Sequence, residues 1–251
     1  MALWQNERHN RNERIEMVEI NTTFDFRSDS GGKDPDSHSP TLRRYHQTLW
    51  SKPLPNGDLF DLSLNTPGAY LHHRSRRGEY FLTSDSVMAT FQRWKRLKSI
   101  IDQIPIEDQG AFERATYTIG GMMVFPGNQV DGKQTMNGAR GFIPAIADRM
   151  DLTLECIRRH YLGLDSPLGD TILRYDDFFA LFEDFRGYVE FFLLEDLVED
   201  TSKVRFFMDF DDFRPPYFPV DLGAYLEFRS RSVAFVSARN RRIESLTKAL
   251  N

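Results

Sequence analysis

The chain has a single cysteine, Cys156, in 251 residues, so neither an internal disulfide nor a multi-cysteine zinc site can be built from it. Long apolar runs are also missing. The longest, such as Ile119 to Phe125, fall far short of the roughly 18 residues a membrane helix needs. The opening MALWQNERHNRNERIEMVEI carries no apolar stretch of the kind a secretory leader uses, which points to a cytoplasmic protein with no membrane partner. Catalytic signatures are absent as well. No Gly-x-x-x-x-Gly-Lys phosphate loop, Gly-x-Ser-x-Gly elbow, His-Glu-x-x-His or Gly-x-Gly-x-x-Gly occurs, which removes P-loop, α/β-hydrolase, zincin and Rossmann readings. Repeats and low-complexity tracts are not found.

What the chain does have is a core. It is 40% hydrophobic and contains 21 Phe, enough apolar surface to offset the entropy of ordering. The formal net charge of −5 is unevenly spread: residues 165–212 carry 4 basic and 14 acidic groups, and residues 213–251 carry 7 and 3. An acidic segment is thus followed by a basic tail, whose Arg239, Arg241 and Arg242 could meet nucleic acid or an acidic partner.

Residues 1–14 are expected to fray, leaving residues 15–251 as one α+β domain with a mostly antiparallel sheet packed by helices and a mainly helical C-terminal half. The patterning predicts strands over Ile15–Phe26, Leu59–Leu62, Tyr70–His73 and Glu79–Thr83. A buried central strand is expected over Tyr117–Phe125, and another strand over Val204–Phe210. Helices are expected after Pro40, with Ser39 as cap, and from Val87 to Ile101, with Ser84–Ser86 as cap. Others follow near Glu107–Arg114, then at Asp151–Tyr161, Asp170–Phe182, Tyr188–Val198 and Leu222–Leu246. The Phe-rich faces from Phe178 to Phe192 would suit a homodimer interface.

Three polar clusters are candidates for chemistry. The first runs from Asp25 through Asp34, Asp36 and His38 to Arg44 and Lys52, where the helix N-terminus after Pro40 could hold an anion. The second is the pair YLHHRS and EYFLTSDS, with His72 as a candidate acid or base and Ser84 as a ligand contact. A histidine on one strand and a Ser or Thr ending the next resembles the nicotinamide-binding arrangement of ADP-ribosyltransferases, which would require His72 and Ser84 to face one pocket. The third is the Gly-, Asn- and Arg-rich stretch from Pro126 to His160. There Asn137, Arg140 and Arg149 are candidate phosphate contacts, and Asp151 and Glu155 candidate acid/base groups. Asp209 and Asp211 lack matching ligands, so no metal site is assigned, and no cofactor is identified. Cys156, between Leu154 and Ile157 in its helix, reads as a buried hydrophobe.

Together, the segments DPDSHSPTLRRYHQTLWSKPLPNG, FLTSDSV, TIGGMMVFPGN, IADRMDLTLECIRRHY, FFALFEDFRGYVEFFLLEDLV and ARNRRI resemble a family of uncharacterised bacterial cytoplasmic proteins, a domain of unknown function. The resemblance runs from about Ile20 to Ile243 and implies a bacterial or phage-related intracellular domain, with no activity to carry over. The residues themselves favour an enzyme acting on a nucleotide-like or phosphorylated small ligand. A non-catalytic binding protein is the alternative.

Overall fold

The computed structural model describes residues 19–64, 71–200 and 202–250. Residues 1–14 and the first part of the strand expected at residues 15–26 lie outside them, as does Tyr70. From residue 19 to Phe26 the chain turns instead of extending. The Asn21 and Asp25 carboxamide and carboxylate oxygens accept from the backbone N–H two residues on, at 2.9 and 3.0 Å, and those local bonds compete with a strand ladder. A 3-10 turn, Phe26–Ser28, follows.

Helices α1 (Pro35–His38) and α2 (Pro40–Trp50) each begin with proline at the first turn, where its missing N–H costs nothing. Ser39 Oγ accepts from Leu42 N at 3.1 Å, the cap expected from the sequence. Helix α2 buries Leu42, Tyr45, His46, Leu49 and Trp50 along one stripe. Strands β1 (Lys52–Pro53) and β2 (Leu59–Phe60) pair through a turn in which Gly57, at φ 84°, takes the left-handed position.

The main sheet is antiparallel, with strands β3 (Leu71–Arg74), β4 (Glu79–Ser86) and β5 (Met122–Pro126) in that order. The fully buried strand β5 therefore lies at an edge and β4 in the centre. The expected strand from Tyr117 shortens because Ile119–Gly121 forms a 3-10 turn pressed between neighbours. A Cβ on Gly120 would stand 2.6 Å from Val236 O, and one on Gly121 would stand 2.1 Å from Thr116 O. Period-two alternation places Tyr80, Leu82 and Ser84 on one face of β4 and Phe81, Thr83 and Asp85 on the other.

The long helix expected over residues 87–101 does not form. Phe91 adopts φ 58°, a left-handed backbone angle that interrupts a right-handed helix at that point. Only a 3-10 turn at Lys95–Leu97 and helix α3 (Lys98–Ile101) remain, and Ser84–Ser86 end β4 instead of capping a helix. Helix α4 (Ile106–Thr116) follows. The TMNGARG stretch, where the patterning predicts no helix, is helix α5 (Met136–Phe142), capped by Thr135. Helix α6 (Met150–Tyr161) forms as expected. The expected helix at 170–182 is divided into α7 (Gly169–Leu173), α8 (Asp176–Phe179) and a 3-10 turn. Helix α9 (Phe185–Phe191) replaces the one expected from Tyr188.

Strands β6 (Val198–Glu199) and β7 (Lys203–Val204) make a two-residue ladder in place of the strand expected to Phe210, and α10 (Leu222–Leu250) closes the fold. Small antiparallel sheets with a helical C-terminal half make this an α+β fold. Phe178, Phe179, Phe182 and Phe192 are spent inside the chain. They pack with Phe60, Trp50 and Tyr188 at ring distances of 4.9–6.4 Å.

At the centre lies Arg239 of α10, fully buried. Its Nη1 donates to Gly120 O at 3.0 Å and Met122 O at 2.7 Å, and its Nε donates to Phe192 O at 3.2 Å. One guanidinium thereby ties α10 to β5 and to the end of α9. Burial lowers its pKa to about 10, which keeps it charged at neutral pH. Removing it leaves three carbonyls unpaired, each costing roughly 1–3 kcal/mol against the recovered desolvation of the charge. Arg239→Met is expected to lose about 2–4 kcal/mol in urea unfolding; a loss below about 0.5 kcal/mol would contradict this role.

Next to it, Trp50 Nε1 donates to His46 Nδ1 at 3.0 Å, so the imidazole proton sits on Nε2 and is donated to Ser84 Oγ at 3.0 Å. Burial, with Arg239 adding to it, lowers the His46 pKa from 6.5 to about 3. The unfolded chain takes up a proton near 6.5 that the native state refuses. The neutral ring therefore contributes full stability above that pH, and the contribution is lost as pH falls toward 3. Nitrogen-15 NMR should find the Nε2–H tautomer of His46 unchanged down to pH 4, whereas titration near pH 6 would refute the assignment.

Candidate functional site

Three segments distant in sequence meet around one cavity of about 570 Å³. The turn into α1 supplies Lys33, Asp34 and Asp36, the end of β4 supplies Asp85 and Ser86, and the turn before α6 supplies Ala147 and Asp148. Thr90, Phe91, Gln92, Arg93 and Trp94 form a further wall, with Tyr117 beside them. The three polar clusters picked out in the sequence thus converge in part, but the groups they present to the cavity are mainly carboxylates.

Arg140 explains how these carboxylates stay together. Its guanidinium is fully buried beneath the pocket, 4.7 Å from the Phe125 ring. It pairs with Asp85, lies 3.9 Å from Asp148 Oδ1, and donates from Nε to Thr153 Oγ1 at 2.9 Å. Arg93 closes the rim by pairing with Asp148. Its guanidinium lies over Gly141, where a Cβ would be 2.5 Å from Nη1, so that face of α5 is covered by Arg93. Arg140 is accordingly not free to grip a phosphate.

The cations do not neutralise the site completely. Asp36 Oδ1 is buried and has no hydrogen-bond partner, and the indole Nε1 of Trp94 is in the same position. Burial first, and then repulsion from Asp85, Asp34 and Asp148 against the opposing pull of Arg140, hold the Asp36 pKa well above the usual carboxylate range. Burial likewise raises Asp85 to about 7; Arg140, Ser86 N–H and Arg93 oppose the shift, and Asp148 adds to it. The Asp85 side chain keeps 20% of its surface exposed, so it can exchange protons with whatever enters the cavity. Phe91, Ala147 and Asp148 hold φ values of 58°, 53° and 61°, a concentration of left-handed backbone characteristic of sites with an imposed geometry.

The other sequence candidates are placed elsewhere. His72 Nε2 lies 2.7 Å from Glu79 Oε1 on the face of the sheet opposite Ser84, so the two do not share a pocket. Ser84 Oγ accepts from His46, which leaves it without a base. Asn137 donates to Thr83 Oγ1 and Ser84 O, both at 3.1 Å, and pins α5 to β4. Arg149 and Asp151 form a buried bidentate pair, with Asp151 Oδ2 also accepting from Phe207 N at 2.8 Å. Glu155 is shared by Arg158 and Arg159 at 2.7 and 2.8 Å.

Arg44 is exposed on α2. The α2 N-terminus is not open to an external anion, because Asp29 accepts from Thr41 N at 3.1 Å and Ser39 Oγ at 2.6 Å. Lys52 Nζ stands 4.7 Å from the Phe191 ring and 5.2 Å from that of Trp50, and burial lowers its pKa to about 8 despite Glu195. Within the basic tail, Arg239 is in the core, Arg242 pairs with Asp196, and Arg241 is exposed. Burial also pushes the Cys156 thiol up to about 12, which leaves it protonated and inert.

Sequence reasoning had Asp34 and Asp36 in view but did not single out Asp85, Asp148, Arg93 or Trp94. No local spacing marks them, since they come together only when β4, α5 and the turn before α6 pack around Arg140. The one available signal was Asp85 itself, an acidic residue extending a strand pattern. No helix among the described residues is long and apolar enough to cross a membrane.

Comparison with known proteins adds a family and no activity. Neither the curated proteins nor the solved structures gave a match. A model described as a family of unknown function, DUF6994, matches residues 20–243 and so covers most of the chain. The protein belongs to that family.

Proposed function

We propose that this protein is an enzyme that acts on a small polar molecule by general acid–base catalysis, with Asp36 and Asp85 as the proton-handling pair. The observation that carries the reading is the crowding of these two carboxyls, both raised above their ordinary range, at the wall of one cavity. Two like carboxyls forced together do not ionise together; one tends to hold a proton while the other accepts one. A group near neutrality donates and accepts protons at working pH with little penalty, which is worth roughly 10²–10⁴ in rate. Arg140 positions Asp85 from beneath, and Arg93 with Asp148 frames the entrance.

A nucleotide-like ligand fits this reading only through its base or sugar. The arginines that would take a phosphate, Arg140 and Arg149, are engaged with Asp85 and Asp151 inside the protein. An ADP-ribosyl transfer reading is not favoured, because His72 and Ser84 face opposite sides of the sheet. Cavity size is in the range of small-molecule sites, and Trp94 and Tyr117 supply aromatic walls.

Incubating the purified protein with a small-metabolite extract and following every mass over time gives a direct assay. The wild type is expected to consume at least one compound, with Asp85→Asn and Asp36→Asn about 10²-fold slower and His72→Gln unchanged within about twofold. Equal consumption by Asp85→Asn and the wild type would refute the assignment. Asp85→Asn should also remove a proton-binding step near pH 7 that the unfolded chain lacks, and with it a fall in native stability as pH rises from about 4 to 7.

A further inference from the structure

We propose that the pocket recognises an organic cation, a primary ammonium or guanidinium group, with the Asp36 and Asp148 carboxylates as its counter-ions and the Trp94 and Tyr117 rings flanking its stem. This rests on the cavity being the site, and it adds the class of ligand.

Charge selects the class of ligand. The cavity gathers Asp34, Asp36, Asp85 and Asp148, against Lys33 and Arg93 at the rim and Arg140 beneath. Arg140 and Arg93 are committed to Asp85 and Asp148, and Asp34 receives the backbone N–H of Asp36. None of these donors reaches Asp36 Oδ1, a buried oxygen without a partner. A buried acceptor in a field of like charge is satisfied by a proton or by a cation that brings its own donors. An incoming ammonium or guanidinium supplies both the charge and the N–H groups.

An organic cation fits better than a metal ion. Among the described residues no three His, Cys, Asp or Glu side chains are placed to hold a metal. Phe91, Trp94 and Tyr117 also line the cavity and offer apolar surface to a carbon stem, with Arg96 already lying over the Trp94 ring at 5.5 Å and Arg27 over the Tyr117 ring at 5.3 Å. Anionic ligands meet the opposite condition, four carboxylates and no uncommitted arginine.

A cation seated among these carboxyls favours their ionised forms, Asp85 included, so affinity is linked to pH. With Asp85 at about 7, one linked proton predicts about tenfold tighter binding at pH 8 than at pH 6. The charged groups that set this titration are Asp34, Asp36, Asp148, Arg93 and Arg140, and Lys33 and Tyr117 also face the cavity.

The test is calorimetry of the full chain with agmatine, putrescine and spermidine, at pH 6 and pH 8, in two buffers of different ionisation enthalpy. At least one amine is expected to bind, with the tenfold pH effect and close to one proton released at pH 6. Asp36→Asn, checked for an unchanged melting curve, is expected to lose at least tenfold in affinity; if that variant unfolds, Asp148→Asn serves in its place. No binding by any of the three amines, or pH-independent binding, overturns the proposal. Two further arms separate the readings. Binding of adenosine or glucose but not amines, with metabolite turnover still dependent on Asp85, ends the cation proposal and leaves the acid–base reading standing. Amine binding with turnover unaffected by Asp85→Asn supports the cation site and refutes catalysis there.

Discussion

A guanidinium cut off from water holds the polar region of this protein together. Arg140 has no exposed surface, and its donors reach Asp85 at the end of β4, Thr153 in α6 and the vicinity of Asp148 in the turn between α5 and α6. Burying such a charge is costly unless it is paired and fully hydrogen-bonded. The fold meets that demand by drawing carboxylates from separate segments to one place. Once Asp85 and Asp148 are fixed there, the turn carrying Asp34 and Asp36 packs against them, and the cavity becomes a place of crowded negative charge. Its chemistry follows from how this arginine is satisfied.

A second buried guanidinium does different work. Arg239 spends its donors on carbonyls of Gly120, Met122 and Phe192, and so fixes the long C-terminal helix against β5 and the aromatic core. Next to it the Trp50–His46–Ser84 chain is satisfied internally, with His46 donating to the serine. A Ser–His contact of this polarity is structural, because the imidazole nitrogen facing the hydroxyl already carries the proton. The core thus holds a cation and a neutral histidine side by side, and the titrating groups are set apart at the cavity on the other face of the sheet.

Much of the scaffold was legible in the sequence. Pro40 with Ser39 before it, the strand pattern of β4 and the helix α6 all express local rules, and each element stands where those rules put it. The misreadings have one physical origin. The helical spacing of Val87, Phe91, Trp94, Leu97 and Ile101, in steps of 4, 3, 3 and 4, marks burial, but the burial is achieved by an irregular path around Phe91. The TMNGARG stretch looks like a ligand loop because of its glycines. In α5, however, Gly141 lies under the Arg93 guanidinium. Arginine-rich segments suggested anion binding, and tertiary packing instead handed those arginines to Asp85, Asp151, Glu155 and Asp196. What the sequence does not encode locally is which charges are left without a partner, and that remainder defines the site.

The central claim is that carboxyl groups at this cavity exchange a proton near neutral pH. Carbon-13 NMR of the protein labelled at aspartate carboxyls measures this directly. Asp85 is predicted to titrate with a midpoint near 7, and Asp36 well above the ordinary aspartate range in a curve coupled to it. If every aspartate resonance completes its titration below about pH 5, the carboxyls are ordinary surface acids and the account of the site is wrong.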